Sequence, residues 1–125
     1  MKSTRFSLKS RLKSFTYAWN GLKILLKEEH NSRIHFVGAI GAIGASFIFN
    51  ISTYEWIAVI FSIGFVFATE LLNSSLENLA DFATNEKNEM IKKAKDLAAG
   101  GVLIAAITAG IIGFIIFAPK IFALF

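Results

Sequence analysis

Leu97-Ala-Ala-Gly-Gly-Val-Leu-Ile-Ala-Ala-Ile-Thr-Ala-Gly-Ile-Ile-Gly-Phe-Ile-Ile-Phe-Ala118 runs for 22 residues without a charge. At about 1.5 Å per residue, a helix of that length crosses roughly 30 Å of hydrocarbon, so the run reads as a transmembrane span. Two more apolar runs precede it, residues 34–51 and 54–72; the first is the shorter and has His35 and Asn50 near its ends. Over the 125 residues, 54% are hydrophobic, more than a water-soluble domain of this size carries. The pattern predicts an all-α membrane protein of one domain, residues 1–125, with a surface helix over 1–33 and spans at 34–51, 54–72 and 97–118.

The basic residues give that bundle a direction. Of 13 Lys and Arg, eight precede Ile34, four lie between the second and third runs and Lys120 follows the third, while the turn around Ser52 has none. By the positive-inside tendency, the N-terminus and the 73–96 loop are expected in the cytoplasm, and the 52–53 turn and the C-terminus outside. Every acid but Glu55 then falls on or near the cytoplasmic side. A net charge of +4 fits this orientation and attraction to anionic lipid; no groove-reading motif accompanies it, so no nucleic acid partner is expected. The absence of cysteine excludes disulfides, thiolate metal sites and thiol catalysis. About thirty polar and basic residues before the first run exceed a normal signal-peptide n-region, so that run is expected to persist in the mature protein.

Ahead of the spans, Leu8, Leu12, Phe15, Trp19, Leu22 and Leu26 step by four and three residues, and Lys9, Lys13, Thr16, Asn20, Lys23 and Lys27 keep the same rhythm one place later. This is an amphipathic helix suited to lie flat at the bilayer interface before the chain turns inward near Arg33. Glycines recur at 38, 41 and 44 and again at 100, 101, 110 and 113, where they suit close helix packing in lipid. With no G-x-x-x-x-G-K-[ST] pattern, they do not read as a phosphate loop. His30 and His35, five apart, cannot form an i, i+4 metal pair, and interfacial packing is expected of them.

The chemistry concentrates where the second run ends. Glu70 follows 14 uncharged residues, and Glu70, Asn73 and Glu77 recur at i, i+3 and i+7, on one face of a continuous helix. A carboxyl group at the edge of hydrocarbon is costly to place and is suited to take up a proton. Glu28, Glu29 and Asp81 also have an ordinary reading as solvated surface acids, Lys95 as a snorkelling base and Asp96 as a favourable charge at a helix N-terminus. Asn73 equally suits an interhelical hydrogen bond.

The same residues carry a resemblance. Glu70-Leu-Leu-Asn-Ser-Ser-Leu-Glu77, then Asp81, then Lys93-Ala-Lys-Asp-Leu-Ala-Ala-Gly100, resembles the signature of the prokaryotic integral-membrane lipid kinases, the diacylglycerol kinase and undecaprenol kinase family. The likeness extends to Tyr17-Ala-Trp-Asn-Gly-Leu22, and so over almost the whole chain. It implies a homotrimeric helix bundle in the bacterial inner membrane, with active sites between protomers at the cytoplasmic surface. There the γ-phosphate of ATP would pass to the hydroxyl of a membrane lipid alcohol with Mg2+ as cofactor. By position, Glu70 resembles the general base, and Glu29 and Glu77 the magnesium ligands. Asn73, Lys95 and Asp96 match residues of the ATP site, with Tyr17 and Glu86-Lys87-Asn88 close to the nucleotide. These types suit phosphoryl transfer, in which carboxylates hold a divalent ion, a cation stabilises developing charge and a base positions the nucleophile. Many relatives have an aromatic residue and a histidine at the positions of Lys87 and Asn88, and some have an arginine at that of Ser10, so nucleotide contacts there are expected to differ. Lys27-Glu-Glu-His-Asn-Ser-Arg-Ile34 looks more like the undecaprenol kinase branch than the enterobacterial diacylglycerol kinases. A reading from another class, a proton-coupled transporter subunit or a non-enzymatic accessory membrane protein, would favour an acid deep in hydrocarbon, whereas here the acids gather at one surface.

Overall fold

The structure, a computed structural model, describes residues 6–125. They form four helices: α1 (Leu8–Glu28), α2 (His30–Ile48), α3 (Thr53–Ala83) and α4 (Glu89–Phe122). The first five residues of the expected 1–33 surface segment lie outside the described residues.

The surface helix ends at Glu28, just past its periodic stripe, and the chain turns at Glu29 instead of near Arg33. Glu29 alone is extended, with φ −106° and ψ 114°, and α2 begins at the next residue. Arg33 makes this elbow possible. Its Nε donates to the Leu26 carbonyl at 2.8 Å and its Nη2 to the Lys27 carbonyl, so a cation satisfies the open C-terminal carbonyls of α1. Most of the apolar stripe of α1 faces away from the other helices: Leu8, Leu12, Phe15 and Trp19 are all exposed, as an interfacial helix requires. Docking rests on Leu25, which is off that stripe and only 2% exposed.

The turn between α2 and α3 is closed by local chemistry. Asn50 adopts φ 49°, the left-handed conformation that asparagine tolerates better than most side chains. The Asn50 amide then donates to Phe47 and the Ile51 amide to Ser46, a Schellman closure. Ser52 follows with a capping box: its Oγ accepts from the Glu55 amide at 3.2 Å while Glu55 Oε1 accepts from the Ser52 amide at 3.0 Å. The other oxygen of Glu55 meets Lys120 Nζ at 2.7 Å and ties the end of α4 to the start of α3. Ser52→Ala should cost about 1 kcal/mol through the lost cap, read as a lowered unfolding midpoint in detergent.

The most extensive packing joins α3 to α4 as a long antiparallel hairpin; α2 lies against α3, and α1 touches both α2 and α3. Few side chains are buried within the chain. Ile51, Val59 and Ile116 form a small cluster near the α2–α3 turn, while Ile60, Phe61, Leu103, Ile104, Ile111 and Phe114 point outward. Such exposure would be ruinous in water and is ordinary where lipid or another membrane helix is the neighbour. Helices α3 and α4 are each long and apolar enough to cross a membrane. The remaining expected span corresponds to α2, whose apolar part, Ile34 to Ile48, is 15 residues long, about 22 Å of helix.

Candidate active site

Because α3 continues without a break from its apolar stretch to Ala83, it carries Glu70, Asn73 and Glu77 out of the apolar zone in register. Glu70 is 5% exposed. A carboxyl group removed from water needs polar partners, and α2 supplies two. The Ser32 hydroxyl, itself fully buried, donates to Glu70 Oε2, and His35 Nε2 lies 3.1 Å from Oε1. Ser32 and His35 stand at i and i+3 and so share one face of α2.

One turn along α3, Asn73 Nδ2 makes a long 3.5 Å contact with Glu77 Oε1. Among the described residues, Asn73 Oδ1 is buried and has no hydrogen-bond partner. An orphaned amide oxygen beside a half-buried carboxylate is suited to receive a cation or a donor that completes it. Glu29, at the elbow, lines a groove of about 200 Å³ between α1 and α3 together with Gly21, Ser74, Ser75 and Asn78. No three His, Cys, Asp or Glu side chains gather into a metal cage among the described residues. The oxygens of Glu29, Glu77 and Asn73 are nevertheless of the hard type that magnesium takes, and that ion commonly keeps several waters.

The nucleotide-type residues divide by helix. Lys95 Nζ reaches across from α4 to Asp81 Oδ1 at 2.6 Å, whereas Asp96 turns along its own helix to Lys92 at 2.7 Å. Glu86, Lys87 and Asn88 are exposed in the α3–α4 loop and share a groove of about 460 Å³ with Lys92 and Lys95. Asn88 also has a local task, since its Oδ1 accepts from the Met90 and Ile91 amides and caps α4. Tyr17 is 69% exposed on α1 and lines neither groove.

The hydrogen bond to Asp81 holds the Lys95 ammonium above the ordinary lysine pKa. A base whose folded pKa is raised contributes stability that is complete below its unfolded pKa and is lost as pH rises through the folded one. Unfolding midpoints should therefore fall at alkaline pH, above the usual lysine range, and Asp81→Asn should remove that component of the decline.

Sequence reading alone gave Ser32 no role of its own, placed Asp81 in the family signature or among solvated acids without a partner, and assigned His35 to interfacial packing. Their one legible signal was Ser32 and His35 at helical spacing at the mouth of the first apolar run. What they pair with depends on how α2 and α4 meet α3.

The profile of the prokaryotic diacylglycerol kinase family matches residues 16–117. The chain is 35% identical over 120 residues to an undecaprenol kinase of Bacillus subtilis (strain 168), covering 96% of this chain and 98% of that protein. It is 34% identical over 114 residues to a diacylglycerol kinase of Synechocystis, covering 90% of this chain and 65% of that one. A diacylglycerol kinase of Haemophilus influenzae is 35% identical over 101 residues, 81% of this chain and 86% of its own length.

Proposed function

This chain belongs to the prokaryotic diacylglycerol kinase family and is a membrane-bound lipid kinase, and on that premise we propose that it transfers the γ-phosphate of ATP to the hydroxyl of undecaprenol. Diacylglycerol is the second-ranked acceptor. The observation that carries the mechanism is the buried Glu70 carboxylate, with the Ser32 hydroxyl donating to Oε2 and His35 Nε2 3.1 Å from Oε1. In the reaction, the lipid hydroxyl gives its proton to Glu70 and its oxygen forms a bond to the γ-phosphorus. The bond from that phosphorus to the bridging oxygen breaks, and ADP leaves with the electron pair.

Glu29 and Glu77, with the free amide oxygen of Asn73, would hold Mg2+, which when bound neutralises charge on the phosphate oxygens. Lys95, Asp96 and the Glu86–Asn88 loop would receive the nucleotide, with Tyr17 approaching it from α1. In this reading, Lys95 exchanges or shares Asp81 for phosphate, a stronger partner because it carries more negative charge. Helix α2 serves as the third, shorter span, with the N-terminus and the α3–α4 loop in the cytoplasm of a bacterium and the protein in its inner membrane. The chain assembles as a homotrimer with active sites between protomers; the outward apolar faces of α2, α3 and α4 supply surface for those contacts. The order of substrates rests on the near end-to-end match to an undecaprenol kinase and on the Lys27–Ile34 segment.

Purified protein in bilayers, given radiolabelled ATP, Mg2+ and one lipid at a time, tests this. Label should enter undecaprenol with kcat/KM about tenfold or more above that for diacylglycerol, a difference of about 1.4 kcal/mol in transition-state stabilisation. Preference for diacylglycerol would reverse the substrate order. Label in no lipid alcohol would overturn the proposed reaction.

A further inference from the structure

Glu70 has three freedoms that a base must lose: it must stay charged where water is scarce, it must face one direction, and its terminal torsion, which is broad for glutamate, must stop turning. A single donor removes only part of this. Here one turn of α2 engages both oxygens, Ser32 on Oε2 and His35 on Oε1. The two partners differ in what else they can reach. Ser32 is sealed at 0% exposure, whereas the His35 side chain is 29% exposed and lines an apolar cavity of about 290 Å³ between α2, α3 and α4. The other polar side chain of that lining, Ser62, donates to the Ala58 carbonyl at 2.7 Å. On the α4 side, the lining residues Ala109, Gly110, Ile112, Gly113 and Phe117 carry no charge. Among the described residues, Glu70 is therefore the ionisable partner of His35, and the imidazole stands between the base and an apolar space open beside it.

We infer that His35 is the positioning residue of this kinase: by donating from Nε2 to Glu70 Oε1, with Ser32 fixing the opposite oxygen, it aims the carboxylate at the acceptor hydroxyl. This rests on the reading of Glu70 as the base. A role through donation, not through proton transfer on the ring, predicts that any side chain placing an N–H at the same point will serve. Glutamine can do so; leucine fills similar space and cannot.

The test is steady-state kinetics of the full-length protein in bilayers with ATP, Mg2+ and undecaprenol, with thermal melting to verify folding. His35→Leu should lower kcat about 10- to 100-fold with the KM for ATP unchanged, the size of effect that slight misplacement of a reacting group produces. His35→Gln should recover most of the rate. In a Glu70→Gln background, His35→Leu should cost nothing further, because residues that act as a unit are not additive. Wild-type kcat in His35→Leu would overturn the inference, as would a His35→Gln variant no better than His35→Leu, or a full additional loss in the Glu70→Gln background. If His35→Leu melts early, the His35→Gln rescue and the double variant still decide the matter. Retained activity in Glu70→Gln itself would strike the assignment of the base, a different failure from any of these.

Discussion

Glu70→Gln is expected to lower kcat for lipid phosphorylation by about 10²- to 10⁴-fold, the usual contribution of a positioned general base. Glutamine keeps the length of the side chain and an oxygen that accepts the Ser32 hydroxyl, so the hydrogen bond that joins α3 to α2 has a substitute and only the His35 contact changes. What is lost is the ability to accept the proton of the acceptor alcohol. The variant should insert, assemble and melt like the parent, and should bind nucleotide with unchanged affinity in an equilibrium assay. That combination separates chemistry from structure. Loss of activity together with loss of folding would instead assign Glu70 to the packing of α2 on α3, and full activity would require another base.

The second large effect is expected at Glu77. Glu77→Gln removes one negative oxygen and retains the contact to Asn73 Nδ2, so its fold consequence is small. The Mg2+ concentration for half-maximal activity should rise about 10- to 100-fold, the range seen when groups that order a metal site are replaced. Saturating Mg2+ should restore part of the rate. No concentration of Mg2+ should restore Glu70→Gln, so the pair of titrations distinguishes a ligand from a base. An unchanged Mg2+ response in Glu77→Gln would withdraw Glu77 from the metal site and leave Asn73 and Glu29 to be tried in its place.

How much was legible in advance varies from one element to the next. The 22-residue uncharged run sits inside α4, and the run at 54–72 inside α3, because helix formation in lipid follows directly from apolar length. The spacing of Glu70, Asn73 and Glu77 likewise required only that α3 be continuous, which it is. The surface helix was legible in its period but not in its end. Its stripe leads on to Leu26, and nothing in the stripe says that Arg33 folds back onto the Leu26 and Lys27 carbonyls and lets Glu29 break the helix.

Leu25 shows the same limit in packing. Periodicity sorts α1 into an apolar and a basic face, yet the contact with α3 uses a side of the helix between them, where Leu25 is buried. A stripe read from hydrophobicity sorts the apolar from the basic side of one helix, and nothing in it marks the side that meets another helix.

What the sequence by itself determined is therefore the apolar length and continuity of the two long helices and the face on which the acids of α3 lie. These are properties of neighbours along the chain, set by helical geometry and by transfer of side chains from water. What only the tertiary structure decided is the partner of each polar group: Ser32 and His35 for Glu70, Asp81 for Lys95, Glu55 for Lys120 and, among the described residues, none for Asn73 Oδ1. Those pairs join residues from 14 to 65 positions apart or leave one unpaired. Hydrogen bonds and ion pairs act over about 3 Å, so they depend on how the helices are rotated and set against one another, which no single helix specifies.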